Sequence, residues 1–111
     1  MPTLKCDKIL LHMASFQPLI QLKLSIQQAL VGEITPNLVS VTCCLRDQQI
    51  IIKAYFSGPV AEGDIDRIQC VGTEVIADFP EGYMVDEQSA SIDVESEEML
   101  DFWAFRRAAT E

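Results

Sequence analysis

A single histidine, His12, is all the imidazole in this chain of 111 residues. It stands among the first fifteen residues, which show no clear hydrophobic period, so histidine acid–base chemistry is set aside. Cysteine is sparse: Cys6 and Cys70 stand alone, and Cys43 and Cys44 are adjacent. No pair has the two-residue separation of a zinc knuckle, and adjacent strand residues point to opposite faces, so Cys43 and Cys44 cannot share one ion. There is no disulfide framework, and no base with an orienting group to activate a thiol. The five glycines are scattered over turns and one helix, which leaves no phosphate-binding loop. No apolar run approaches the ~20 residues of a membrane span. Lys5 and Lys8 before Ile9-Leu10-Leu11 imitate a secretion signal, but His12 and Gln17 interrupt the run and no small-residue cleavage site follows. These absences point away from an enzyme and toward a cytoplasmic protein with no metal or cofactor.

Positive charge is also scarce, and unevenly so. Between Glu62 and Asp101 lie thirteen carboxylates and one basic residue, Arg67, a net charge of −12 against −9 for the whole chain. The rest is slightly basic, with seven Lys and Arg against four acids. Segregated charge of this kind repels itself and steers encounter with a basic protein partner. Nucleic acid and anionic membranes carry the wrong sign to be partners. With 49% hydrophobic residues the acidic stretch is expected to fold rather than remain a tail.

The length suits one domain. Residues 1–14 read as an N-terminal extension, with Met13 a candidate natural start, and 15–111 as a single α+β domain. Pro18 suits the first turn of a helix, with Ser15 or Gln17 as weak caps. Leu19, Leu22, Ile26, Ala29 and Leu30 then recur at helical spacing up to Gly32; Ile20, Leu22, Leu24 and Ile26 also alternate like a strand, but the helix formers of 25–30 favour a helix. Val39, Val41, Cys43 and Leu45 alternate with Ser40, Thr42 and Cys44, and Ile50, Ile52, Ala54 and Phe56 with Ile51, Lys53 and Tyr55. These are two half-buried strands of a hairpin. Ile65, Ile68, Val71, Gly72, Val75, Ile76 and Phe79 form the stripe of a second helix, stopped by Pro80-Glu81-Gly82. A third strand is expected within 83–95, with Ala90, Ile92 and Val94 on one face. The run 102–107 reads as a fourth strand, with a terminal helix as the alternative. The expected order is helix, strand, strand, helix, strand, strand: a two-layer α+β sandwich. A right-handed crossover makes strands two and three parallel, and both helices cover one face of the sheet and leave the other open.

Carboxylate pairs such as Asp64/Asp66, Asp86/Glu87 and Glu97/Glu98 lie in polar surroundings, without the desolvation that an acid–base pair needs. Their spacing does not match a calcium loop.

The segments Leu24-Ser25-Ile26-Gln27-Gln28-Ala29-Leu30, Gly32-Glu33-Ile34-Thr35-Pro36-Asn37-Leu38 and Cys70-Val71-Gly72-Thr73-Glu74-Val75-Ile76-Ala77-Asp78-Phe79 resemble small bacterial immunity proteins of contact-dependent growth inhibition systems. The resemblance covers roughly 22–92 and carries no catalytic signature. It implies a protein that binds the toxic domain of a delivered effector inside the producing cell. Many such toxins are nucleases with basic active sites, which the carboxylate block would complement. The chain departs from the pattern at Ala61, where a capping serine is expected, and at Gly63. The second helix is therefore expected to start at Asp64, serving as its own cap.

The expected contact set is Asp66, Glu74 and Asp78 of the second helix with Asp86, Glu87, Asp93 and Glu95. Tyr83 or Trp103 is the candidate aromatic anchor, with core packing favoured for Trp103. A second reading is a self-associating module, in which an open sheet face and exposed strand edges support a homodimer. A third is a domain that binds a cation or small molecule on that face.

Overall fold

The structure, a computed structural model, describes residues 17–108. The expected extension 1–14, with His12, Cys6 and Met13, and the candidate cap Ser15 lie outside the described residues. The elements are α1 (Pro18–Ala29), β1 (Leu38–Arg46), β2 (Gln49–Phe56), α2 (Glu62–Ile76), β3 (Met84–Ser91) and β4 (Phe102–Arg106), the expected order of an α+β domain. They build one four-stranded mixed sheet in the order β3-β2-β1-β4.

The hairpin β1–β2 is antiparallel, with Val41 opposite Ala54, Cys43 opposite Ile52 and Leu45 opposite Ile50. Asp47 takes a positive φ of 56° at its turn, a conformation that aspartate tolerates better than most residues. The inward faces of these strands meet Leu22, Ile26 and Ala29 of α1 and Ile68, Val71 and Val75 of α2 in one cluster. Burial of each large aliphatic side chain there stabilises by about 1.5–3 kcal/mol. Helix α1 opens with Pro18 at its first turn and has no side-chain cap, so Gln17 occupies the cap position without filling its role. It stops ahead of Gly32, whose φ of 83° only glycine reaches without strain.

Three expectations are corrected. Helix α2 begins at Glu62, not Asp64, with Ala61 as the N-cap residue. Asp64, in the third helical position, reaches back to accept a hydrogen bond from the Ala61 backbone N–H at 3.0 Å and another from Asn37 Nδ2 at 3.1 Å. That is the half of a capping box that alanine leaves intact. Strand β3 ends at Ser91, because the chain turns there: Asp93 N–H donates to Ser91 Oγ and Val94 N–H to the Ser91 carbonyl. Ile92 and Val94 therefore lie outside the sheet, Val94 being 88% exposed. Val85 is the β3 side chain packed against the core.

The third correction concerns the second sheet face, which is not open. Strands β3 and β4 occupy opposite edges and are parallel, so the link 92–101 must recross the sheet, roughly three strand spacings or about 14 Å. It does so on the side away from the helices. Crossing back in the opposite direction on the opposite face preserves the hand of the β2–α2–β3 crossover, which the twist of strands requires to be right-handed. Beneath this strap Ser40, Thr42, Cys44 and Tyr55 are buried.

Replacing Asp64 with alanine removes both of its hydrogen bonds. Denaturant unfolding should show a loss of about 2 kcal/mol for Asp64→Ala, and less for Asp64→Asn, which keeps one acceptor oxygen.

Candidate functional site

The seven carboxylates expected to meet a partner do not form one patch. Asp66 and Glu74 project from the outer side of α2 and are exposed, flanking a shallow groove with Gln69, Cys70 and Thr73. Asp78, just beyond α2, accepts a 2.5 Å hydrogen bond from the buried Ser25 Oγ and so ties the two helices together. Asp86 lies on the strap side of β3 and accepts from Gln88 Nε2 at 2.8 Å. Glu87 points the other way, beneath α2, where its carboxylate fills the space that a side chain on Gly72 would occupy. Asp93 is exposed at the turn after β3, and Glu95 on the strap is ion-paired with Lys53. Asp66 and Glu74 are thus separated from Asp93 and Glu95 by the thickness of the sheet, with the β3 edge between them.

Burial is the main cause that pushes the Glu87 carboxyl above its ordinary value. Repulsion from Asp86 adds to it, and Glu87's own backbone N–H partly relieves it. Asp101 shifts the other way: a hydrogen bond from Arg46, 2.7 Å away, holds it down, with help from the Leu45 N–H. Burial also pushes the Cys43 thiol up to about 12 and raises that of Cys44, so neither is poised as a nucleophile. Among the described residues no three His, Cys, Asp or Glu side chains stand close enough to hold a metal ion.

Pairing of the cations was not legible in sequence. Arg46 bonds Asp101, Lys53 bonds Glu95, Arg67 reaches Glu33 at 3.1 Å, and Arg106 lies 3.8 Å from Glu97. Arg107 donates to the carbonyls of Leu38 and Thr35, and Lys23 sits over the Phe102 ring. Each lysine and arginine among the described residues is thus engaged within the chain. Asp66, Glu74 and Asp93 keep no ion pair among those residues. Glu97 and Asp101 emerge as structural acids that spacing alone could not identify, since their partners lie in β1 and β4.

The candidate aromatics part company. Tyr83 packs on the core, its ring 5.0 Å from that of Phe79. Trp103, expected in the core, instead lies outside the core cluster, half-buried on the strap side, with the Arg106 guanidinium 4.6 Å from its ring.

The fold is thus an α+β sandwich whose described cations are engaged within the chain and whose carboxylates Asp66, Glu74 and Asp93 are exposed without an ion pair. A family model described as MafI2 immunity protein matches residues 20–109, so the chain belongs to that family. The match bears out the immunity class that the sequence resemblance implied. No curated protein matches the chain. No helix of the described residues is long and apolar enough to cross a membrane.

Because the Glu87 carboxyl is raised on folding, its ionised form costs stability above that value, and the cost disappears below the unfolded-state value. Glu87→Gln should therefore raise the melting temperature near neutral pH. The gain should shrink as pH falls through the carboxylate range, which melts at neutral and acid pH would check.

Proposed function

We propose that this immunity protein neutralises a cognate toxin domain by stoichiometric, charge-complementary binding, without catalysis. Its place in the MafI2 immunity family supports the role, and one observation supports the means. With the cations of residues 17–108 engaged internally, the exposed carboxylates Asp66 and Glu74 on α2, and Asp86 and Asp93 on β3 and the turn after it, face outward without an ion pair. Asp78 and Glu95 add to the field while holding the fold, and Glu87 adds to it from beneath α2, so these three act on encounter more than on contact.

A nuclease is the toxin class that this charge fits best, because a site that grips phosphates is basic and an acidic inhibitor mimics its substrate. The likeness to contact-dependent growth inhibition proteins favours a delivered toxin, blocked in the cytoplasm of its producer. The outer side of α2 is the better candidate surface, since Asp66 and Glu74 flank one shallow groove about two turns apart, beside Cys70 and Thr73, small side chains that allow close approach.

The test is association with the purified cognate toxin domain, followed by surface plasmon resonance at several salt concentrations. The double variant Asp66→Lys/Glu74→Lys should associate about tenfold more slowly at low salt, with a flatter salt dependence. Unchanged rates would remove the α2 face from the proposal, and Asp93→Lys would then probe the opposite side.

A further inference from the structure

The strap 92–101 is attached to the sheet in an unusual way. Three of its four large apolar residues turn outward, Val94 being 88%, Met99 53% and Ile92 37% exposed, and only Leu100 is partly buried. What holds it down is polar. Leu100 N–H donates to Thr42 Oγ1 at 2.8 Å, and that hydroxyl donates onward to the Phe102 carbonyl at 2.7 Å. Ser40 Oγ donates to Glu97 at 2.6 Å, and Glu98 N–H donates to the Tyr55 hydroxyl at 3.1 Å. Ion pairs of Glu95 with Lys53, Glu97 with Arg106 and Asp101 with Arg46 complete the attachment. On the other face of the same strands, the helices are held by a continuous apolar cluster.

These two modes of attachment differ in what opening costs. Lifting a helix exposes apolar surface and ends the fold. Lifting the strap exchanges protein hydrogen bonds for water and uncovers Ser40 and Thr42 together with Cys44 and the Tyr55 ring, a smaller apolar surface than the helix-side cluster, so it costs less than lifting a helix. We infer that residues 92–101 form a polar-latched cover that lifts from the sheet as a unit while the helix-side core stays folded. The latch is electrostatic in part, so salt loosens it.

The chain carries its own pair of reporters. Cys43 and Cys44 are neighbours in β1, both buried, but they face opposite layers: Cys43 belongs to the helix-side core, and Cys44 shares the strap side with Thr42. Opening of the strap uncovers Cys44 alone, and only global unfolding uncovers Cys43.

The experiment uses the full chain with Cys6 and Cys70 replaced by serine, and with either Cys43→Ala or Cys44→Ala to leave one thiol. Alkylation rates in the native state are divided by those in denaturant, which cancels intrinsic thiol reactivity and yields an opening constant for each side. Cys44 should open about tenfold or more readily than Cys43, with little dependence on low denaturant and a clear rise with salt. Cys43 should follow the global unfolding constant. Thr42→Val keeps the side-chain shape but removes both hydroxyl bonds, and should raise Cys44 opening about tenfold further while Cys43 changes less. Glu97→Gln, which keeps its size, serves the same purpose if the valine variant folds poorly. Equal opening constants at the two thiols, both tracking global unfolding, would overturn the inference. So would latch variants that shift both thiols by the same factor.

Discussion

The placement of β3 and β4 at opposite edges of one sheet constrains everything else in this molecule. Two parallel strands at the far edges must be joined by a chain that recrosses the sheet, and handedness leaves only the face without helices. The covering segment is acidic and poor in inward apolar groups, so the face beneath it needs polar groups to meet it, set beside the buried Cys44 and Tyr55 ring. Ser40, Thr42, Lys53 and Tyr55 meet that requirement by supplying hydroxyls and a cation at the points where the strap crosses. The sheet therefore has two unlike sides, one closed by apolar packing and one by hydrogen bonds and ion pairs.

That asymmetry reorders the meaning of the acidic stretch. Its carboxylates are not equivalent. Asp64 caps a helix, Asp78 joins two helices, and Glu95, Glu97 and Asp101 fasten the strap. Each of these is a local use of negative charge, and the last three occupy half of the six lysines and arginines among the described residues. What remains outward is an excess of negative charge, on which the proposed capture of a basic toxin would draw. The pairing that holds the strap thus uses Lys53, Arg106 and Arg46 against Glu95, Glu97 and Asp101, and leaves Asp66, Glu74 and Asp93 without an ion pair among the described residues. Glu87 is the exception, a half-buried carboxylate held over Gly72 that works against stability.

Much of the architecture was legible in the residues. The alternation in 38–56 marked a hairpin, and the stripe through Ile68, Val71 and Val75 marked α2, because both patterns arise from local geometry that each segment carries with it. The start of α2 was misplaced by two residues, since Ala61 offers no side-chain signal and the reciprocal bond from Asp64 is visible only once the turn is formed. The end of β3 was misplaced for a related reason. Ile92 and Val94 continue the apolar alternation, but turn bonds to Ser91 win over it. The family resemblance carried the immunity class, which no motif on the chain could have provided.

The candidate contact residues show where legibility stops. Composition identified the acidic segment, and Asp66 and Glu74, expected as contact residues of the second helix, are found exposed on the outer side of α2. It could not tell that Asp78 is tied to Ser25 or that Glu95 is paired with Lys53, because those partners are 53 and 42 residues away in sequence. Likewise, Ser40, Thr42 and Tyr55 read as a solvent face, since a polar alternation looks the same whether water or a polar strap lies over it. The sequence by itself determined the elements, their order and the excess of negative charge, all of which depend on short-range pattern or on simple sums. The covering of the second face, the division of carboxylates between those that fasten the fold and those left exposed, and the exposure of Val94 were decided by tertiary structure alone, because each depends on which distant backbone the chain's return path brings alongside.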